Sequence, residues 1–216
     1  QTIGGYLKTY GFNMDFAPDA DVNTNPDNPI IGERAFSSDA ATAAQMAAAA
    51  AEGLRQNGIL PTLKHFPGHG DTAEDSHTDL AVTYKTREEL ENCELLPFAA
   101  DTGLHAVMVG HIAAPNVIGS NTPATLSAEL IAMIPDAENT LIVTDSLSMD
   151  AITKAYTPGE AAIQAIQAGC DVLLMPNSLP EAYDAVLAAV QNGTISEARF
   201  DQSVNKILHY KQRFAV

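Results

Sequence analysis

The sequence has few basic residues. Its 216 residues include 11 lysines and arginines against 27 aspartates and glutamates, which gives a net charge of −16. Such a charge repels the phosphates of nucleic acids and the head groups of anionic lipids. Nucleic acid is therefore not an expected partner.

Long apolar runs and cysteine pairs are also missing. No run approaches the roughly 18 apolar residues that a membrane-spanning helix needs, so no membrane-spanning segment is expected. The two cysteines form no CxxC pair, and Cys170 lies in the apolar run "AGCDVLLMP", where we expect a buried free thiol. Because the chain begins at Gln1 without a methionine, we expect a trimmed sequence. The compartment stays open between the cytoplasm and the cell envelope or exterior.

Glycine-rich turns of the GxGxxG or GxxxxGK[ST] type are absent after every predicted strand, which argues against a nucleotide-binding sheet. What is present is an alternation of short apolar runs, near residues 13, 60, 106, 140 and 172, with helical patterns between them. Capping boxes at Thr86 and Thr157 mark helix starts, and Gly193 marks a helix end. Because the strands are continuously apolar, a parallel α/β fold is predicted.

Polar residues follow these apolar runs, at the carboxyl ends of the predicted strands. They are Asp19, Asp21, Lys64, His65, His111 and Asp145. In a (β/α)8 barrel of the TIM type the active site is assembled at this rim, so a barrel is favoured over a doubly wound sheet. A full barrel has eight units in about 250 residues, whereas five are counted here. Residues 1–216 are therefore predicted to be one domain, an incomplete barrel whose open edges a missing segment or another copy of the chain covers.

The loop "KHFPGHGDTAEDSHTDL", residues 64–80, contains three of the six histidines. His65 and His69 have the spacing of a helical HExxH zinc site, but Pro67 and Gly68 between them argue against a helix. A zinc site gathered from the loop stays an alternative, and so does a purely structural role for His69 in holding the turn. We expect neither a metal nor another cofactor.

Asp75 and His77 in this loop form a candidate proton-transfer dyad. A carboxylate can accept the Nδ1 proton of a nearby histidine and leave Nε2 free as acid and base. Asp145, directly after a buried strand, is a candidate nucleophile, although capping the next helix is an alternative role for it. Together these three residues suit glycoside hydrolysis with retention of configuration.

The motifs "KHFPGHGDTAEDSH", "NPDNPIIGERAF", "VTDSLSMDAI" and "GCDVLLMP" resemble glycoside hydrolase family 3, in its β-N-acetylglucosaminidase branch. The resemblance runs from about Gly11 to the last helix. It implies that Asp145 is the nucleophile, that His77 is the general acid/base and that Asp75 is its dyad partner. It also implies that the family's first three βα units, with a sugar-holding aspartate, precede this part, so that the chain is the C-terminal five-eighths of the barrel.

Sugar binding is assigned by the same resemblance to Lys64, His65 and Arg34. These side chains are donors suited to sugar oxygens. Adjacent residues of a regular strand point to opposite faces, so Lys64 and His65 can both contact one sugar only if the strand is irregular there. The structural alternatives are a salt bridge for Arg34, possibly to Asp21, and a Lys64 that covers apolar surface with its aliphatic stem and keeps its ammonium in water. His111 is predicted to line the pocket or to be a buried, hydrogen-bonded histidine.

The predicted function is therefore a retaining exo-β-N-acetylglucosaminidase acting on cell-wall or chitin-type glycans. A family 3 β-glucosidase or a phosphorylase is the alternative among enzymes, because a histidine acid/base does not repel phosphate as a carboxylate would. A non-catalytic sugar-binding remnant is the alternative outside enzymes, since part of the barrel is not in the sequence. A metal-dependent hydrolase would instead require bound zinc.

Overall fold

The computed structural model describes residues 2–73, 79–103 and 105–214. The strands are β1 (Met14–Asp15), β2 (Leu60–Phe66), β3 (Ala81–Val82), β4 (Ala106–Val109), β5 (Ile112–Ala113) and β6 (Leu141–Thr144). The α-helices are α1 (Thr2–Thr9), α2 (Ala40–Arg55), α3 (Arg87–Glu91), α4 (Leu96–Ala100), α5 (Pro115–Ile118), α6 (Ala128–Ile131), α7 (Asp150–Thr153), α8 (Pro158–Ala168), α9 (Leu179–Gln191) and α10 (Glu197–Arg213). Short 3-10 helices span Gly32–Arg34 and Ala124–Leu126.

One parallel sheet contains β1, β2, β4 and β6, in that order. The register pairs Met14 with Leu60, Thr62 with Ala106, and Ala106 with Leu141. Beyond β6 the pairing continues through a single parallel bridge between Val143 and Val172. The strand predicted near Asp171 is thus reduced to one bridge, because the N–H of Leu174 donates to the Thr144 hydroxyl at 2.9 Å rather than to a β6 carbonyl.

A second parallel sheet, of β3 and β5, was not predicted. Each of its strands has two residues, with Ala81 opposite Ile112 and Val82 opposite Ala113. Strands this short show no periodicity in a sequence.

Apolar residues cover both faces of the larger sheet. On one face Leu63, Val107 and Ile142 belong to a cluster that includes alanines of α2 and α8. On the other face Leu60, Ala106, Leu141 and Val143 pack with Tyr210 and Phe214 at the end of the chain. Burial on both faces explains why the strands read as continuous apolar runs.

The predicted helix signals are confirmed. Thr86 and Thr157 each form a capping box at the start of α3 and α8. Gly193, with φ of 80°, follows the end of α9. Cys170 is a buried free thiol.

The sheet has two edges without a strand partner among the described residues, the outer side of β1 and the outer side of Val172. Large apolar side chains are exposed near both edges. They are Ile3, Tyr6, Tyr10 and Phe12 near β1, and Leu179, Tyr183, Leu187, Phe200, Val204 and Leu208 on α9 and α10. The topology is that of an incomplete (β/α) barrel. Across the described ranges no helix combines the length and apolar character needed to cross a membrane.

Candidate active site

The polar residues that follow the parallel strands meet at one edge of the sheet. Asp19, after β1, forms a parallel bridge with Lys64 in β2. The N–H of Asp145, after β6, donates to the carbonyl of Val109 at the end of β4, at 2.9 Å. The predicted clustering at the carboxyl ends of the strands is therefore confirmed for these residues.

The end of β2 is irregular at Lys64 and His65, as predicted. Its register against β4 shifts between Leu63 and Phe66, and the peptide bond joining Lys64 to His65 is cis. Leu63 and Phe66 both belong to the large apolar cluster, although residues three apart in a regular strand face opposite sides. The irregular segment therefore lies between two residues that pack in the same cluster.

His65 is held by Asp21, a fully buried carboxylate after β1. Nδ1 of His65 donates to Oδ2 of Asp21 at 2.7 Å, and the backbone N–H of His69 donates to Oδ1 at 2.6 Å. Burial would lower the pKa of His65, but the charges of Asp21, Asp19 and Asp145 raise it above its ordinary value. Burial would raise the pKa of Asp21, but His65 and His69 hold it below its ordinary value. Each partner thus favours the charged form of the other.

Arg34 connects this pair to the surface. Its Nη2 lies 3.1 Å from Oδ2 of Asp19 and 3.4 Å from Nε2 of His65, and its side chain is 42% exposed. The structural alternative for Arg34, a salt bridge, is present, but its partner is Asp19 rather than Asp21, which is enclosed by His65 and His69. Arg34 combines a fixed position with an accessible guanidinium, as a ligand-binding arginine requires.

Asp19, Asp21 and His65 form a cluster of possible cation ligands, whose ligand atoms all lie within 4.8 Å of one another. These atoms already have positively charged or donor partners, because Arg34 contacts Asp19 at 3.1 Å and His65 donates Nδ1–H to Asp21 at 2.7 Å. A metal would have to displace both contacts. Nδ1 of His69, in the same part of the site, hydrogen bonds to the Thr72 hydroxyl at 2.6 Å.

Asp145 stands at the end of β6 with a half-buried side chain. The N–H of Ser146 donates to its Oδ1 at 2.7 Å. The first helix after it, α7, has Met149 as its N-cap residue. The alternative role of Asp145 as a helix cap is therefore wrong. Its negative charge favours the protonated forms of His65 and His111, although burial lowers the pKa of His111 overall.

His111 is fully buried. Its Nδ1 lies 2.6 Å from the hydroxyl of Thr125, and its Nε2 lies 2.8 Å from the carbonyl of Ser146. Because both nitrogens are engaged within the protein, the prediction that His111 binds sugar is corrected to the alternative, a buried and hydrogen-bonded histidine. Its contact is with the residue next to Asp145.

Asp75 and His77 lie outside the described residues. The chain on either side of them is linked through Lys85, which also contacts the buried carboxylate of Glu94. Lys85 forms an ion pair with Glu94 and a second one with Asp71, at 3.4 Å. The hydroxyl of Thr83 also donates to Asp71, at 3.0 Å.

Thr125 was not assigned a role from sequence, and Asp21 was given one only as a possible partner of Arg34. Asp21 carried a usable signal, since it follows a predicted strand at the same rim as His65. Thr125 carried none, because it lies in a 3-10 helix 14 residues after His111.

Known proteins resemble the chain over almost its whole length. The sequence profile described as "Glycosyl hydrolase family 3 N terminal domain" matches residues 2–210. Beta-hexosaminidase A of Pseudoalteromonas piscicida is 33% identical over 98% of this chain and 40% of its own length. Beta-hexosaminidase LpqI of Mycobacterium tuberculosis is 34% identical over 96% of this chain and 56% of its own length.

A solved glycoside hydrolase family 3 β-N-acetylglucosaminidase from Paenibacillus sp. str. FPU-7 superimposes with a TM-score of 0.95 at 44% identity. The match covers 99% of this chain and 42% of that one. The chain thus spans about half the length of the curated relatives that it matches. These relatives confirm the resemblance to the β-N-acetylglucosaminidase branch and the barrel type of the fold. The chain belongs to glycosyl hydrolase family 3.

Proposed function

We propose that the protein containing this chain is a retaining exo-β-N-acetylglucosaminidase that removes terminal N-acetylglucosamine from cell-wall or chitin-type glycans. The observation that carries this proposal is the position of Asp145. Its carboxylate lies at the end of a buried strand, on the same rim as Lys64, His65 and Arg34. A fixed carboxylate beside several sugar-oxygen donors suits attack on an anomeric carbon.

In the proposed reaction an Asp145 oxygen attacks the anomeric carbon, and the bond from that carbon to the leaving oxygen breaks. His77 donates its proton to the leaving oxygen, while Asp75 stabilises the imidazolium before transfer. Neutral His77 then takes a proton from water, and the resulting hydroxide displaces Asp145 from the glycosyl-enzyme. The sugar leaves with its original anomeric configuration.

The sugar would be held by the three donors of the rim. Nδ1–H of His65 is used by Asp21 at 2.7 Å, so Nε2 is the atom that His65 offers to a sugar. The ammonium of Lys64 carries N–H donors, and the exposed guanidinium of Arg34 offers several more. Lys64 and Arg34 can therefore donate hydrogen bonds to the hydroxyl and N-acetyl oxygens of a sugar.

The test of this function is turnover of p-nitrophenyl N-acetyl-β-glucosaminide, followed by proton NMR of the first-formed sugar. The β anomer is expected to appear first and then to mutarotate. An α anomer at early times would contradict retention. Binding of N-acetylglucosamine in a calorimeter without any turnover would favour a non-catalytic remnant.

The enzymatic alternatives are distinguished in the same assay. Formation of N-acetylglucosamine 1-phosphate on addition of phosphate would indicate a phosphorylase, and faster turnover of a glucoside would indicate a β-glucosidase. If a chelator abolished the activity and added zinc restored it, the proposed mechanism without a metal would be contradicted.

We also propose that the chain forms five consecutive units of an eight-unit barrel that another segment or another copy completes. The support is that both outer sheet edges lack strand partners among the described residues and that large apolar side chains are exposed beside them. Such edges and surfaces favour association. The 216-residue chain alone is expected to be inactive and to aggregate, and high activity of a monomeric preparation of it would contradict this proposal.

A further inference from the structure

His111 and Thr125 form a buried pair directly behind the residue that follows Asp145. Both side chains belong to residues without exposed surface. The hydroxyl of Thr125 lies 2.6 Å from Nδ1 of His111, and Nε2 of His111 lies 2.8 Å from the carbonyl of Ser146. The pair does not reach the open side of the site, so it cannot contact sugar in this conformation.

The partners fix which atom carries each proton. A carbonyl only accepts hydrogen bonds, so Nε2 of His111 carries the proton that binds Ser146. Burial lowers the pKa of His111, although the Ser146 carbonyl and the charge of Asp145 oppose that shift. In the neutral imidazole Nδ1 is an acceptor, and the Thr125 hydroxyl must donate to it. The carbonyl of Gly110, 3.4 Å from the same hydroxyl, is the more distant acceptor.

This proton arrangement holds the backbone around Asp145. The N–H of Asp145 donates to Val109 and that of Leu147 donates to Leu174, each at 2.9 Å. Between these two anchors the carbonyl of Ser146 is held by the side chain of His111. The N–H of Ser146 in turn donates to Oδ1 of Asp145 at 2.7 Å. Rotation of Ser146 would therefore turn the carboxylate.

We propose that His111 and Thr125 are positioning residues, which orient the Asp145 carboxylate for attack through Ser146. The inference rests on the proposed function of Asp145 as nucleophile. It differs from a merely structural role, because a positioning residue changes the rate of attack without changing how the sugar binds.

Thr125→Val tests the pair with little change in volume, and Thr125→Ser restores the hydroxyl. The valine variant is expected to lower kcat about tenfold, the effect of losing one orienting hydrogen bond, with KM unchanged. The loss in kcat/KM should be equal for good and poor leaving groups, because kcat/KM reports the attack by Asp145 in both cases. The serine variant should recover most of the lost activity.

The matched control is Thr140→Val, which removes a buried hydroxyl at the opposite end of β6, where it donates to the carbonyl of Pro135 at 3.3 Å. Its kcat should equal that of the wild type. If Thr125→Val does not fold, Thr125→Cys is the second variant, because a thiol is a weak hydrogen-bond donor of similar size. Its kcat should lie between the wild-type value and the tenfold loss expected for the valine variant. An unchanged kcat, a change confined to KM, or no recovery by serine would overturn the inference.

If the wild-type protein turns over no glycoside, the proposed function fails and crystal structures decide the inference instead. In Thr125→Val the Asp145 carboxylate should rotate and lose its 2.7 Å contact with the Ser146 N–H, while in Thr140→Val it should not. An unchanged carboxylate in Thr125→Val would overturn the inference independently of activity.

Discussion

Asp21→Asn removes the negative charge that holds His65 in place. Asp21 is fully buried, and it accepts hydrogen bonds from Nδ1 of His65 at 2.7 Å and from the N–H of His69 at 2.6 Å. Removing one partner of a buried ion pair costs about 3–5 kcal/mol of unfolding free energy. Because asparagine keeps one acceptor oxygen and the same shape, we expect a loss of about 3 kcal/mol, at the lower end of that range.

This loss should depend on pH because both partners titrate. The lowered pKa of Asp21 contributes stability above its ordinary value of 3.8, and this contribution is lost as the pH falls from there through the folded pKa. The raised pKa of His65 contributes stability below its ordinary value of 6.5, and this contribution is lost as the pH rises through the folded pKa. The difference in stability between wild type and variant is therefore expected to be largest between pH 3.8 and 6.5.

Urea unfolding of the intact protein at about pH 5.5 and about pH 8.5 measures this difference. The larger loss is expected at the lower pH. Asp27→Asn is the control, since Asp27 is exposed in the loop after β1, and it should change the unfolding free energy by less than about 0.5 kcal/mol. An equal loss at both pH values, or a loss for Asp21→Asn no larger than that of the control, would refute the ion pair.

Asp145→Ala should abolish turnover of every glycoside, because no nucleophile remains; near-normal steady-state rates with an activated aryl glycoside would contradict this. His77→Ala should reduce kcat most for poor leaving groups and much less for an activated aryl group, and equal losses across a leaving-group series would count against general acid catalysis. Asp171→Ala should lower the unfolding free energy by about 3–5 kcal/mol, because this buried carboxylate accepts from Lys206 at 3.0 Å. Thermal or urea unfolding compares this variant with Asp201→Ala, a control on the exposed side of α10. Similar losses of unfolding free energy in the two variants would contradict the prediction.

Sequence patterns predicted the parts of the fold that local chemistry determines. Continuous apolar runs marked β2, β4 and β6, because helices cover one face of the sheet and a second apolar cluster the other. The capping boxes at Thr86 and Thr157 fixed two helix starts through bonds within four residues. Parallel strands end at the same edge of a sheet, and this alone predicted that Lys64, His65 and Asp145 lie at one rim.

Pairings between distant loops could not be predicted in this way. Arg34 was assigned a possible salt bridge to Asp21 but contacts Asp19, because Asp21 points into the interior toward His65 and His69. These carboxylates are two residues apart, and only the tertiary structure decides which one is buried. The irregularity of β2 was predicted from the need to place two neighbouring side chains on one sugar, which is a functional constraint rather than a local signal.

The burial of His111 illustrates a second limit. A histidine after an apolar strand looks the same in sequence whether it faces the site or the interior. Its partner Thr125 lies 14 residues away in a short 3-10 helix, and its other partner is a backbone carbonyl at Ser146. Neither partner leaves a pattern that residue spacing can reveal.

The central claim is that Asp145 forms a covalent bond to the sugar. Incubation of the intact protein with a 5-fluoro N-acetylglucosaminyl fluoride, followed by proteolysis and mass spectrometry, tests it directly, because the fluorine slows release of a glycosyl-enzyme more than its formation. The predicted result is one added fluorinated N-acetylhexosaminyl group on the peptide that contains Asp145, with none in Asp145→Ala. An adduct on a different carboxylate, or an enzyme that turns over the aryl glycoside yet forms no adduct, would contradict the account.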